Sequence, residues 1–214
     1  MQVILSYQRL LQYINSTKDL GLNYYGRSNP TLNAYVDSSL GEDKNSGKST
    51  TGFVINLGTC PIFWNSHLGE SGVSISTADA EYMAASSCAR QTMACRNLAD
   101  ETEIIDISDP IVIYEDNSAC LAMALQSSSK QRNKYIPIKI HYIREAQATG
   151  YITLTKIDTS IQTADILTKP LSFPLFSQHS QTLLHGHNGQ IPGPASTTRR
   201  DIKRQQKMNK TSAM

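Results

Sequence analysis

The chain has 214 residues, of which 39% are apolar, and a formal net charge of +2, enough for one domain with a buried core and for a tail beside it. No apolar run is long enough to cross a bilayer, Gln8 and Arg9 interrupt the apolar N-terminus, and no small-residue cleavage site follows, which argues against a membrane partner and a secretory signal, and an intracellular protein of cytoplasm or nucleus is expected. The small net charge does not announce a nucleic-acid binder, because a local basic cluster averages away in it.

Residues 1–15 set Ile4, Tyr7, Leu11 and Ile14 on one helical face, the spacing of an amphipathic helix that packs on an apolar partner, in part outside this chain. Loop residues follow, with Gly26, Ser28, Asn29 and Pro30, and then Leu32–Asp37 alternates apolar and polar side chains as a strand does. After the polar turn of Gly41–Ser49, Gly52–Leu57 and Ile62–Asn65 read as two further strands joined through Gly58 and Thr59. Short connections between three consecutive strands predict an antiparallel meander.

Ser76 followed three residues later by Asp79 fits a capping box, and Ala80–Ala99 contains no Gly or Pro to stop a helix. Ile111–Glu115 is a β-branched strand, Asn117–Gln126 and Ile138–Thr149 are helical in composition, and Tyr151–Ile157 alternates as a strand after Gly150. A short helix at Thr163–Thr168 stops before Pro170. From residue 172 onward Ser, Gln, His, Gly and Pro dominate, which predicts a disordered tail over 172–214. In it Arg199, Arg200, Lys203, Arg204, Lys207 and Lys210 outweigh Asp201, as in a nuclear-import signal, a non-specific nucleic-acid contact or a solvated tail. Cys60, Cys88, Cys95 and Cys120 lack CxxC spacing and lie in apolar stretches, which predicts buried free thiols rather than a zinc site or disulfides.

The acids fall where such a sheet would gather them. Asp37 ends the first strand, Asp116 follows the fourth, Glu81 lies in the first turns of the long helix and Asp165 in the last short one. Sites in α/β sheets form at strand ends, and carboxylates brought together there repel one another unless a cation sits among them. Oxygen-only ligands suit Mg²⁺ or Mn²⁺ rather than zinc, and two such ions about 4 Å apart suit an in-line phosphodiester displacement. Asp79, by contrast, belongs to the helix cap, and Asp116–Asn117 could equally turn the chain and cap the next helix. There is no G-x-S-x-G phrase, no P-loop and no cysteine beside an obvious histidine partner, so serine or cysteine hydrolase and nucleotide-binding readings have no support.

The phrases around these acids carry a resemblance. STKDLGLNYYG, AYVDSSLGEDKNSGKSTTGFVINLG, FWNSH, STADAEYMAAS, VIYEDNSACLAMA, IKIHYIRE and TADILTKPL occur in this order. Together they resemble the ribonuclease H domain of copia-type LTR retrotransposon Pol polyproteins over roughly residues 6–171. The resemblance implies a ribonuclease H-like α/β fold, a mixed five-stranded sheet with three antiparallel strands and then parallel ones, flanked by helices. It implies that residues 1–31 are the end of a reverse transcriptase or connection segment, and that 32–171 form the ribonuclease H-like domain. A chain of this extent is then expected to be a C-terminal fragment without polymerase, integrase or protease. The implied activity is hydrolysis of the RNA strand of an RNA–DNA hybrid, with two Mg²⁺ or Mn²⁺ ions as cofactors, held by Asp37, Glu81, Asp116 and Asp165. A reverse transcriptase domain is a further implied partner, and His141, Arg144 and Lys169 are implied substrate-facing cations.

The chain also departs from the family pattern. It reads DSSL, with Leu40 where the family has Trp, and KYIP for KHID, with Tyr135 for His and Pro137 for Asp; after Trp64 it reads NSHLGE and lacks the family's lysines. Fewer positive charges imply weaker hybrid binding, and an inactive remnant or a hybrid-binding module is the alternative expectation. An integrase-type strand transferase shares the general fold but uses three acids with a different final element, which the Asp165 phrase does not match.

Overall fold

A computed structural model describes residues 2–24, 30–41, 46–69, 76–103, 105–125 and 136–185. A first helix, α1 (Gln2–Thr17), precedes the meander β1 (Leu32–Ser39), β2 (Thr50–Leu57) and β3 (Cys60–Leu68). The long helix α2 (Thr77–Thr102), strand β4 (Ile111–Glu115), helices α3 (Ser118–Leu125) and α4 (Ile136–Ala148), and strand β5 (Ile152–Lys156) follow. Two 3₁₀ turns, Thr159–Ile161 and Thr163–Leu167, lead into a last helix, α5 (Phe173–His185). The five strands lie in the order β3-β2-β1-β4-β5, antiparallel across β3, β2 and β1 and parallel across β1, β4 and β5. This is the mixed five-stranded sheet, three antiparallel strands and then parallel ones, expected from the sequence.

The sheet separates two cores. On one face Ala34, Val36, Phe53, Ile55, Ile111 and Ile113 pack under Tyr82, Ala84, Ala85, Cys88 and Ala89 of α2 and Ile143 of α4. The small side chains along α2 let it lie close to the strands, which brings its first turns to the end of β1 and β4. Ser76 caps that helix: its Oγ accepts from Asp79 N at 3.1 Å, satisfying one of the free amides of the first turn. On the other face Tyr35, Val54, Tyr114, Ile157 and Ala164 form a smaller core with Leu167 and Leu183. Strand alternation therefore fixes two directions: Asp37 follows Tyr35 toward the 3₁₀ turns, and Glu115 follows Ile111 and Ile113 toward α2.

The end of the domain differs from the expectation. Phe173–His185 is a helix inside the stretch read as a disordered tail, with Leu175, Phe176, His179 and Leu183 turned inward. The imidazole of His179, 1% exposed, sits in the middle of that face and interrupts its apolar spacing, which is why the period was not visible. Asn23 N and Nδ2 both donate to Leu184 O, tying the segment after α1 to α5. Residues 186–214, including the basic run, lie outside the described residues, as does Tyr135.

Helix α1 has the predicted apolar face, yet Ile4, Tyr7, Leu11 and Ile14 are all at least half exposed. Its ring contact with the rest of the chain is Tyr13 edge-on to Phe176, centroids 6.5 Å apart. Pro137 falls in the first turn of α4, where its missing N–H would have no intrahelical partner. The four cysteines are free thiols, with Cys60, Cys88 and Cys120 buried. Among the described residues no helix is long and apolar enough to cross a membrane.

Candidate metal centre

Asp37 is fully buried at the end of β1, opposite Gly52 of β2. The absence of a side chain at Gly52 lets the second 3₁₀ turn press onto the sheet here: a Cβ at this position would lie 2.5 Å from Thr168 Cγ2 and 2.8 Å from Leu167 Cβ. That turn brings three groups to Asp37. Thr168 Oγ1 donates to Asp37 Oδ2, and Lys169 Nζ lies 2.9 Å from Asp37 Oδ1 and 2.8 Å from Asp165 Oδ1. Burial pushes the Asp37 carboxyl up to about 6 from its ordinary 3.8, against the opposing pull of Thr168 and Lys169. Half-burial pulls the Lys169 ammonium down, but its two carboxylates outweigh this and hold it above the usual lysine range.

Parallel strands β1 and β4 pair as far as Tyr35 and Tyr114. Just beyond, the buried side chain of Gln162 spans them, its Nε2 donating to Val36 O at 2.9 Å and, more weakly, to Tyr114 O at 3.5 Å. Each of these carbonyls belongs to the residue before an acid, Asp37 or Glu115, so one amide sets the spacing of the two strand ends.

Asp116 stands just past β4, half-buried, with Oδ2 accepting from Thr159 Oγ1 at 2.8 Å. The capping role open to Asp116 from the sequence falls to its neighbour: Asn117 Oδ1 accepts from Ala119 N and Cys120 N at the start of α3. Asp116 is shared by two groups of acids. One is Asp37, Asp116 and Asp165; the other is Glu81, Glu115 and Asp116; in each, one oxygen from every member lies within 4.8 Å of the others. The other three acids singled out from the sequence thus lie on two sides of Asp116, with Glu81 on the α2 side and Asp37 and Asp165 on the side of the 3₁₀ turns.

Glu115 is the member that sequence reasoning passed over. It is 0% exposed and Glu81 is 3% exposed. Glu115 Oε1 accepts from Asn117 N at 2.8 Å, while Oε2 of Glu115 and Oε2 of Glu81 are buried without a hydrogen-bond partner among the described residues. Burial, then the charge of Glu115 and Asp37, pushes Glu81 up to about 9; burial, opposed by the Asn117 amide, pushes Glu115 up to about 8, both from an ordinary 4.5. The signal was present: an acid in register with Ile111 and Ile113 on a strand with a buried face is rare unless it is paired. Gln162 and Thr168 gave no comparable signal, since their roles depend on contacts from distant elements.

These oxygen-only donors, with buried carboxylate oxygens that lack partners, fit a hard divalent cation. Of the three cations expected to face substrate, His141 is exposed on α4. Arg144 is turned inward, Nη2 donating to Met123 O at 2.7 Å near the end of α3, and Lys169 is engaged by the two aspartates.

No protein-family model matches the chain. It is 31% identical over 176 residues to the retrovirus-related Pol polyprotein from transposon RE2 of Arabidopsis thaliana, a match covering 82% of this chain. The chain is a homologue of transposon Pol polyproteins. This Pol homologue is also 29% identical over 160 residues, 75% of its length, to the Pol polyprotein from transposon TNT 1-94 of Nicotiana tabacum. It spans only 12% of the length of each of these relatives. Among solved structures the Pol homologue is similar to LC11-RNase H1 isolated from compost, with 17% identity and a TM-score of 0.46 over 65% of this chain and 93% of that one. The same enzyme has been solved in complex with an RNA/DNA hybrid.

Proposed function

We propose that this chain is the ribonuclease H segment of a copia-type retrotransposon Pol polyprotein, hydrolysing the RNA strand of RNA–DNA hybrids. In this reading Asp37, Glu81, Asp116 and Asp165 hold two divalent ions, Mg²⁺ or Mn²⁺. The observation that carries it is the position of Asp116, a half-buried carboxylate within reach of acids on both sides of the sheet end. Kinship with transposon Pol polyproteins supports the choice of a nucleic-acid substrate over other phosphodiesters.

When bound, the ions supply positive charge and Lewis acidity to a phosphodiester. The chain's own residues supply placement. Thr159 fixes the orientation of Asp116, Thr168 and Lys169 hold Asp37 against Asp165, and Gln162 keeps the ends of β1 and β4 at one spacing. Exposed His141 is the substrate-facing candidate whose ring is open to solvent; Lys169 reaches a phosphate only by leaving its aspartates. A reverse transcriptase domain as partner, and a cytoplasmic or nuclear location, belong to the same reading.

The engagement of Lys169 favours a second reading, an inactive remnant or hybrid-binding module, because an ammonium already neutralises Asp37 and Asp165. Cleavage of a labelled RNA–DNA hybrid in Mg²⁺ and in Mn²⁺, beside Asp116→Asn, separates the two. Metal-dependent cutting of the RNA strand, lost in Asp116→Asn, is the expected result. A folded wild type that binds hybrid and leaves it whole selects the second reading.

A further inference from the structure

The two groups of acids around Asp116 differ in what neutralises them. Asp37 and Asp165 share the Lys169 ammonium, and both oxygens of Asp37 are engaged. Among the described residues those are the ion pairs formed, and no described cation lies within ion-pair distance of Glu81 or Glu115.

Among the described residues Oε2 of Glu81 and Oε2 of Glu115 have no hydrogen-bond partner. Ionisation leaves two buried negative charges side by side, a costly arrangement in a medium of low polarity. A cation among the three acids answers both problems: it neutralises the charge and ligates the oxygens that lack partners. Glu115 is prepared for that role, since Asn117 N fixes its other oxygen at 2.8 Å and holds the carboxylate plane. Orientation of a ligand by a hydrogen bond from outside the coordination sphere is a common feature of built metal sites.

We propose that Glu115 is itself a metal ligand, and that a divalent cation binds among Glu81, Glu115 and Asp116 on the α2 side of the sheet. This adds a fifth carboxylate to the four of the proposed nuclease and rests on the metal-dependent part of that reading.

The test is a Mn²⁺ titration of the full chain near neutral pH, followed by the electron paramagnetic resonance signal of free Mn²⁺. Glu115→Gln keeps the shape and the acceptor for Asn117 N but removes the charge, and it is expected to weaken Mn²⁺ binding by about tenfold or more. Asp106→Asn, on an exposed acid outside both groups, is expected to leave affinity unchanged. Wild-type affinity in a folded Glu115→Gln protein overturns the proposal, as does a wild type that binds no Mn²⁺. Glu115→Cys gives an independent reading, because a thiolate ligand is soft. It is expected to bind Cd²⁺ with a thiolate-to-cadmium absorption band absent from wild type, and a folded variant without that band also counts against Glu115 as a ligand. Mn²⁺ binding that depends on Glu115 in a protein that cuts no hybrid upholds the ligand and overturns the nuclease; hybrid cutting with intact Mn²⁺ affinity in Glu115→Gln does the reverse.

Discussion

Gly52 and Thr168 meet so closely that a single methyl group on Gly52 would come within 2.5 Å of Thr168 Cγ2. Because Gly52 is opposite Asp37 in the β1–β2 register, the contact decides how near the Asp165 turn can come to the first acid. Gly52→Ala must push that turn off the sheet, and overpacking of this kind costs about 1–3 kcal/mol. We expect a lower urea midpoint with an unchanged slope, together with loss of hybrid cleavage beyond what reduced stability explains.

Gln162 offers a second test of placement. Gln162→Leu retains bulk but leaves Val36 O and Tyr114 O without the side-chain donor they share, a loss of ~1–3 kcal/mol for buried carbonyls. Thermal unfolding should register that loss, and Mn²⁺ affinity should fall with it as the ends of β1 and β4 spread.

Lys169→Met removes the cation from Asp37 and Asp165. The pair is partly open, with the Lys169 side chain 35% exposed, so the expected destabilisation near neutral pH is ~1–3 kcal/mol rather than the larger cost of a fully buried pair. Added Mn²⁺ should restore more stability to this variant than to wild type, because the position between the aspartates is then open to metal. Equal restoration in both would show that Lys169 is not a counterion there.

The pH dependence follows from the glutamates. Burial and the neighbouring acids push Glu81 up to about 9, and burial pushes Glu115 up to about 8, both from an ordinary 4.5. Between those values the native state holds more protons than the unfolded one, so stability falls as pH rises. In the presence of a chelator the melting temperature should decline from about pH 4.5 toward 9, with Asp37 adding to the slope up to about 6. Glu115→Gln should make the decline shallower, and bound Mn²⁺ should flatten it. A melting temperature that rises over this range would contradict the raised acids.

The legible part of this molecule was what repeats locally. Two-residue alternation marked β1 and β5, β-branched residues marked β4, the Ser76 cap and an alanine-rich run marked α2, and the four acids stood at or near element ends. Helix α5 was hidden because the most buried position of its inner face is His179, which a hydrophobic period does not count. Glu115 was read as the last residue of a strand, and only its register with Ile111 and Ile113 turns it toward Glu81. The engagement of Lys169 with two aspartates was not legible at all, since it depends on how closely the Asp165 turn docks at Gly52.

The separation in sequence between the parts of this centre sets an order of assembly. Gln162 lies 126 residues beyond Val36, and Lys169 lies 132 beyond Asp37. During synthesis, which delivers about 5–20 residues per second, β1–β3, α2 and β4 leave the ribosome before the turn that carries Gln162, Asp165 and Lys169. For that interval Asp37 has neither its ammonium nor its threonine, while Glu81, Glu115 and Asp116 are already on the emerged chain. A cation taken up by those three acids would be the first charge compensation available to the nascent domain.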